Sequence, residues 1–529
     1  MLPAAVSVEA DPVPYLPTPP DEDELYWYFG PQRRWVLLCV SLSYTATAVT
    51  LFLFSLRHPA LWIFLGVLGI NIVAWSLSLF DGQRQRRVTR QSHELLVRSW
   101  RPLAVPSVDV FLPTAGEQLA ILRNTYEHVS RLSWSGRLLV WVLDDSARDE
   151  VRALAESFGF EYRTRPDRGH LKKAGNLNFG LRESDGDVIA ILDADFVPRP
   201  DFLRQLVPYL EDPSTGIVQS PQCFDTEPAM NWVERAAGAA QELFFRWLQP
   251  SRDADDAAIC CGTNAIYRRG ALAAIDGFPK LSHSEDMFTG IEMRKRGYRT
   301  RYVPVLLAKG LSPDTLTSFV NQQYRWCMGN LELLLSREFH RMELPWRMRL
   351  GFWNGFVSYF VNAVNAFTVP LPLIVMLFVY PQDVRPWHML PFLAPVWIWL
   401  VLLPAVSRTR WRFEVTRAQL LYSFVHAVAI VHVFQRRAAT WVPTGAAAVR
   451  SPLARTVSWL AVVSLTLTIA ASWLGLAMAV ARYGFANYWA TAGFVLANAY
   501  LGLPLVRDAL RTLAPARPRQ PILPREAQA

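Results

Sequence analysis

Six stretches are apolar for about the twenty helical residues that a bilayer's hydrocarbon core requires. They are Trp35–Leu56, Ala60–Phe80, Gly351–Tyr380, Trp387–Val406, Val457–Ala479 and Tyr488–Val506. Pro370 and Pro372 predict a kink or break in the third. Residues Gln419–Phe434 are apolar but shorter, and Arg417 and Gln435-Arg436-Arg437 flank them. They read as a helix at the membrane interface or tucked under the bundle, with a short seventh span as the alternative.

Between the second and third stretches the pattern changes. Val108–Leu112, Leu138–Leu143, Val188–Leu192 and Gly216–Gln219 are short apolar runs rich in branched residues. Helical patterns such as Asp149–Phe158 and Arg199–Leu210 separate them. This alternation predicts an α/β domain with a mixed, mostly parallel sheet over residues 100–335, inserted between transmembrane helices. Ligands bind such sheets at the carboxyl ends of the strands.

Charge orients the chain. The net charge is +9, but no stretch interleaves Lys/Arg with aromatics as a nucleic-acid channel does, so no nucleic-acid partner is expected. Arg33-Arg34, Arg84-x-Arg86-Arg87, Arg408-x-Arg410-x-Arg412, Arg450, Arg455, Arg507 and Arg511 flank the spans on one side. The opposite loops, near His58 and Gln382–Arg385, carry little positive charge. The lipid bilayer is thus a partner, and both termini and the central domain are expected in the cytoplasm. The five cysteines form no CxxC pair and fit a reducing compartment. Residues 1–31, with prolines and the acids Asp21–Glu24, read as a disordered tail.

Four polar signatures lie in or after this domain. Asp144-Asp145 and Asp193-Ala194-Asp195 each follow a predicted strand, where paired carboxylates can share Mg²⁺ or Mn²⁺ with phosphate oxygens. Turn or capping roles are open for each pair alone. Ser284-Glu285-Asp286 reads as an N-cap and first turn, an arrangement that also fixes a carboxylate in place. Gln322 and Arg325 share a helix face beside Trp326, where Arg suits a phosphate and Trp suits either a sugar ring or a membrane interface.

In this order the four resemble the processive family 2 glycosyltransferases: cellulose synthase and its curdlan, hyaluronan and chitin synthase relatives. Lys173-Ala174-Gly175-Asn176-Leu177-Asn178, Gln219-Ser220-Pro221-Gln222-Cys223-Phe224 and Cys261-Gly262-Thr263-Asn264 resemble secondary motifs of that family. The resemblance implies a GT-A catalytic domain beside a membrane pore. It implies Asp286, with Glu285 beside it, as catalytic residues. Thr114, Asp144, Asp145, Lys173, Asp193, Gln322 and Arg325 would bind the nucleotide sugar, and Asp193 and Asp195 the metal. Trp326, Cys261, Gly262 and Thr263 would face the acceptor. The implied partners are a UDP-sugar donor, a growing polysaccharide and accessory export proteins. Glucose is the expected sugar and the inner membrane the expected location. A synthase using UDP-N-acetylglucosamine and a non-processive, lipid-linked transferase are the alternatives. A transporter with a regulatory domain is the non-enzymatic one, and the near absence of charge within the spans counts against it.

Two departures stand out. Pro113-Thr114-Ala115-Gly116-Glu117 lacks the aromatic that stacks on uracil in the family's P-T-Y-N-E. Phe413-Glu414-Val415-Thr416-Arg417 matches the family's gating string, but Trp441-Val442-Pro443-Thr444-Gly445 lies where that loop belongs. Thr444 is therefore the expected nucleotide contact. The expected layout places spans over 32–82, 350–407 and 456–507. An interfacial segment falls at 336–349, the interfacial helix with gating loop at 408–455, and a cytosolic tail at 508–529. Arg507-x-x-x-Arg511 resembles the start of a cyclic-dinucleotide domain, but only a Pro-rich stub follows, so both arginines read as membrane anchors.

Overall fold

The computed structural model describes residues 15–29, 33–281, 284–407, 412–437 and 451–514. The central domain is built on ten strands. These are β1 (Val108–Thr114), β2 (Leu138–Asp144), β3 (Glu161–Arg163), β4 (Val188–Ile191), β5 (Phe196–Pro198), β6 (Thr215–Gln219), β7 (Cys223–Phe224), β8 (Ala265–Arg268), β9 (Arg299–Tyr302) and β10 (Ala308–Gly310). The main sheet has the order β3-β2-β1-β4-β8-β6-β9, and β5-β10-β7 forms a small second sheet. Its pairings are parallel except where β8 runs antiparallel between β4 and β6. This is the expected mixed, mostly parallel α/β architecture.

The branched, apolar strand residues explain the sheet. Val110, Phe111, Leu112, Val142, Leu143, Ile189, Ala190 and Ile191 are fully buried, covered by helices on both faces. Such two-sided burial is what near-continuous apolar strands require. Register then places the chemistry. Thr114 pairs with Asp144, and Phe111 with Ile191 two residues before Asp193. The first two acidic pairs therefore emerge at one edge of the sheet.

Seven helical segments among the described residues are long and apolar enough to cross a membrane: Trp35–Leu56, Ile63–Gly82, Trp346–Val379, Pro386–Val406, Phe413–Phe434, Pro452–Tyr483 and Trp489–Leu513. With such spans on both sides of the central domain, the chain is a multi-pass membrane protein. The expected break is present: one helix ends at Thr368 and the next starts at Leu371, across Pro370. Trp35, Ile63, Val73, Trp459 and Leu467 point outward, as lipid-facing side chains do.

The helix Arg412–Phe434 is longer than the expected Gln419–Phe434, because Phe413–Arg417 forms its first turns. Half of its most apolar window is buried, against none for Ile63–Gly82. Its Ala418, Leu421, Phe424 and Val425 pack with Val233, Ala236, Phe319 and Val320 of the central domain. Glu414 pairs with Arg235 at 3.3 Å, and Tyr324 shares a 2.9 Å hydrogen bond with His432. The helix thus packs on the central domain, and its length and apolarity also suit the alternative, a seventh span.

Two expectations about the chain's ends change. Residues 15–29 are not a disordered tail but strap the domain. Tyr15 Oη donates to Asp225 at 3.0 Å, Lys309 Nζ to Glu24 at 2.8 Å, and Leu306 N–H to the Leu25 carbonyl at 2.9 Å. Leu25 and Tyr28 are buried, and that apolar area outweighs the Pro-rich, acidic composition that suggested disorder. At the other end the last helix runs on to Leu513. Arg507 and Arg511 each meet Asp508 at 3.1 Å, and Asp508 accepts a 2.6 Å bond from Trp232 Nε1. Asp508 therefore ties the helix end to the central domain, and both arginines pair with it.

Candidate active site

A cavity of about 720 Å³ opens at the carboxyl edge of the sheet. Most of the predicted site residues line it: Thr114, Asp145, Lys173, Asp193, Asp195, Cys261, Thr263, Glu285, Asp286, Gln322, Arg325 and Trp326. Asp144 and Gly262 are not in the lining. Thr444 and the whole Trp441–Gly445 loop lie outside the described residues.

Asp144 sits behind the lining. Its carboxylate is fully buried and faces its own loop. Oδ1 accepts from Ser146 N–H at 2.8 Å, and Oδ2 from Arg148 N–H at 3.1 Å and Tyr162 Oη at 3.0 Å. With both oxygens engaged, it shapes the turn after β2, and Asp145 alone faces the cavity. Asp145 is itself gripped by Arg165, whose Nε and Nη2 donate to Oδ1 and Oδ2 at 2.6 and 2.7 Å. Arg165 also donates to the carbonyls of His170 at 2.6 Å and Lys172 at 3.1 Å, fixing the turn into the helix Lys172–Glu183. Leu171 and Lys172 take left-handed φ values of 53° and 49° in that turn. A Cβ on Gly175 would come within 2.3 Å of Arg165 Nη1, so glycine is required there.

That helix delivers Lys173 to the centre of the site. Its Nζ bonds to Asp193 and to the Gly262 carbonyl, the latter at 2.9 Å. Burial works to lower the Lys173 ammonium, but the charges of Asp193 and Glu285 hold it above its usual value. Asn176, one turn on, donates to the Leu143 carbonyl at 2.6 Å, and its buried Oδ1 has no hydrogen-bond partner among the described residues.

The acidic wall carries more charge than its protein cations balance. Asp195 is pushed up to about 7, first by burial and then by Asp193 and Glu117. Burial likewise raises Glu117, which accepts from the Ala115 N–H at 2.7 Å. Glu117 and Lys172 line the cavity and were missed in the sequence. Lys172 is lowered to about 8 by burial and by Arg325.

The Ser284-Glu285-Asp286 turn opens the helix Glu285–Lys295 differently from expectation. Ser284 has φ of 54° and its side chain makes no capping bond. A Cβ on Gly329 would come 1.6 Å from Ser284 Oγ, so the hydroxyl rests against the helix Leu316–Leu335 that carries Gln322, Arg325 and Trp326. Left-handed backbone at a non-glycine residue costs about 1–3 kcal/mol and is held by such packing. Asp286 Oδ1 accepts the Met287 N–H at 2.8 Å. Burial, then Glu285, raise the Asp286 carboxyl. A Cβ on Gly262 would lie 3.0 Å from Asp286 Oδ2. Glycine there lets the loop backbone pass close to this carboxyl. Gln219 holds the same loop, accepting from Cys261 N–H and donating to the Thr263 carbonyl, both at 2.8 Å. Thr263 Oγ1 accepts from Asp193 N–H at 2.8 Å.

Beyond Trp326 the cavity continues along Asn330, Asn354, Ser358 and Tyr359, the last three on the helix Trp346–Thr368 of the membrane bundle. One space thus joins the acidic site to the apolar helices.

Residues 188–407 match the family described as glycosyl transferase family group 2. The chain is 34% identical over 261 residues to a UDP-forming cellulose synthase catalytic subunit of Xanthomonas axonopodis pv. citri, covering 48% of this chain and 36% of that protein. It is 33% identical over 279 residues to the corresponding subunit of Pseudomonas fluorescens, covering 52% and 38%. The aligned part is thus little more than a third of either relative. A mannosyltransferase from Pyrobaculum calidifontis, solved with GDP-Man and Mn²⁺, aligns with 73% of this chain and 99% of its own, at 17% identity and a TM-score of 0.49. In its matched segment and in the ordered motifs around one cavity, the chain is similar to the cellulose synthase-like family 2 glycosyltransferases.

Proposed function

We propose that the protein is an inverting, UDP-sugar-dependent polysaccharide synthase that builds a β-linked glucan from UDP-glucose and passes it into the membrane. The observation that carries this is the single cavity running from Asp145, Lys173 and Asp193 past Asp286, Arg325 and Trp326 to Asn354, Ser358 and Tyr359. A nucleotide sugar fits its acidic and cationic end, and a sugar chain its Trp- and Asn-lined continuation.

In the reaction, Asp286 takes the proton of the acceptor hydroxyl while the oxygen attacks the anomeric carbon. A bond forms from that oxygen to C1, and the bond from C1 to the diphosphate oxygen breaks, inverting an α donor to a β linkage. Arg325 and Lys173 stabilise the charge gathering on UDP. Trp326 offers the acceptor ring an apolar face.

The carboxylates of Asp193 and Asp195 fit a divalent ion such as Mg²⁺ or Mn²⁺. Both are hard oxygen donors, and the charge crowding at Asp195 is what a cation relieves. No cluster of three or more His, Cys, Asp or Glu residues forms a closed metal cage among the described residues. An ion sharing its shell with phosphate and water needs no such cage. When bound, it neutralises diphosphate charge. The arginine distribution supports a cytoplasmic catalytic domain, and the similarity to bacterial cellulose synthase subunits supports spans in the inner membrane.

The test is to supply the purified protein with UDP-glucose or UDP-N-acetylglucosamine, measure released UDP, and digest the product with linkage-specific glycosidases. A β-glucan made from UDP-glucose supports the reading. UDP release without polymer contradicts it.

A further inference from the structure

Where the cavity enters the bundle, three separate parts of the chain are bolted together by a buried ion pair. Asp81 ends the second span, and Arg252 lies on the short helix Gln249–Ala254 of the catalytic domain. Their side chains are only 5% and 6% exposed. Arg252 Nη2 donates to Asp81 Oδ2 at 2.6 Å, and Nε reaches Oδ1 at 3.1 Å and Oδ2 at 3.0 Å. The same Nη2 donates to the Gly351 carbonyl at 2.8 Å. Asn354, one turn further along that helix, donates to Asp81 Oδ2 at 2.8 Å, and its Oδ1 accepts from Ser78 Oγ at 2.8 Å. A Cβ on Gly351 would sit 3.3 Å from Asp81 Oδ1, so the helix approaches closely because it has glycine there.

Asp81 and Ser78 do not line the cavity, whereas Arg252 and Asn354 do. The residues that bear on the passage are therefore aimed by residues outside it. Both amide atoms of Asn354 are committed, so this side chain cannot turn to follow a passing sugar. A charge pair this buried is an expensive way to join two elements, and replacing such pairs by apolar residues is often neutral for stability. Its placement where the second span, the short helix Gln249–Ala254 and the helix Trp346–Thr368 meet is a reason for charge rather than packing.

We propose that Asp81 is a positioning residue: through Arg252 and Asn354 it holds the channel mouth in register with the catalytic domain, and so determines how far a product chain grows before it is lost. This rests on the synthase reading above. A small misplacement of the acceptor costs rate even when its origin is far from the chemistry.

The experiment compares Asp81→Asn, Ser78→Ala and the double variant Asp81→Leu/Arg252→Met with wild type, all as full chain. UDP affinity, UDP release and mean product length are measured, with lengths compared after equal UDP release. Asp81→Asn and Ser78→Ala are expected to keep wild-type UDP affinity, and Asp81→Asn to give products several-fold shorter. The apolar double variant removes both charges, and so remains informative if Asp81→Asn alone fails to fold. It is expected to shorten the product as well. Wild-type product lengths from the folded variants overturn the positioning role and leave the synthase reading standing. Absence of polymer from wild type itself overturns both.

Discussion

Arg165 grips Asp145 through two hydrogen bonds of 2.6 and 2.7 Å and, with the same guanidinium, holds the turn that launches Lys173. One buried side chain thus sets two sides of the donor site. A lysine keeps the charge but cannot supply the planar fork. Arg165→Lys is expected to weaken UDP binding by about tenfold, the equivalent of roughly one charge-assisted hydrogen bond. Calorimetric titration of UDP checks this, with unchanged affinity as the contrary result.

Asp144 behaves as a structural carboxylate. Asp144→Ala leaves two backbone N–H groups and the Tyr162 hydroxyl without their acceptor. The expected loss of stability is about 2–4 kcal/mol, read by denaturant unfolding of the solubilised protein. Unchanged stability with loss of UDP binding would return Asp144 to a direct role in holding the nucleotide.

The carboxylate pair Asp193 and Asp195 is expected to bind Mn²⁺ in the presence of UDP. The melting temperature should rise on adding both together, and chelation should reverse the rise. Asp195→Asn should abolish the Mn²⁺-dependent part while the protein stays folded. A full Mn²⁺ shift in that variant contradicts the assignment.

Activity should climb with pH on a limb displaced above the ordinary aspartate range near 4, because Asp286 acts as a base and its carboxyl is raised by burial and by Glu285. The same shift has a stability sign. An acid whose folded value exceeds its unfolded value favours the fold at low pH. That contribution is lost as pH rises through the folded value. Asp286→Asn is therefore expected to flatten the dependence of unfolding free energy on pH above 4, measured by denaturant titration at a series of pH values. An unaltered pH dependence contradicts the buried, raised carboxyl.

Much of this was legible in local pattern. The run Leu138–Leu143 became β2, Val188–Leu192 became β4, and both delivered their acids to the sheet edge. Pro370 broke its helix as local backbone chemistry requires. What the pattern could not carry was long-range. Arg165 lies twenty residues from Asp145 in an unremarkable stretch, and only the fold closes that gap. Ser284 carries the residue type of an N-cap, yet packing against Gly329 sets its backbone instead. The Pro-rich start looked unstructured because composition cannot show that Leu25 and Tyr28 find a groove on the domain. Asp81 and Arg252 are separated by most of the catalytic domain, and neither belongs to a recognisable motif.

The most direct test of the central claim is polymer synthesis by Asp286→Asn alongside its affinity for UDP. Loss of the general base should cut polymer formation by about 10²–10⁴-fold, while UDP binds as in wild type. Wild-type polymer yield from that variant would show that Asp286 is not the base and that the cavity works by another arrangement.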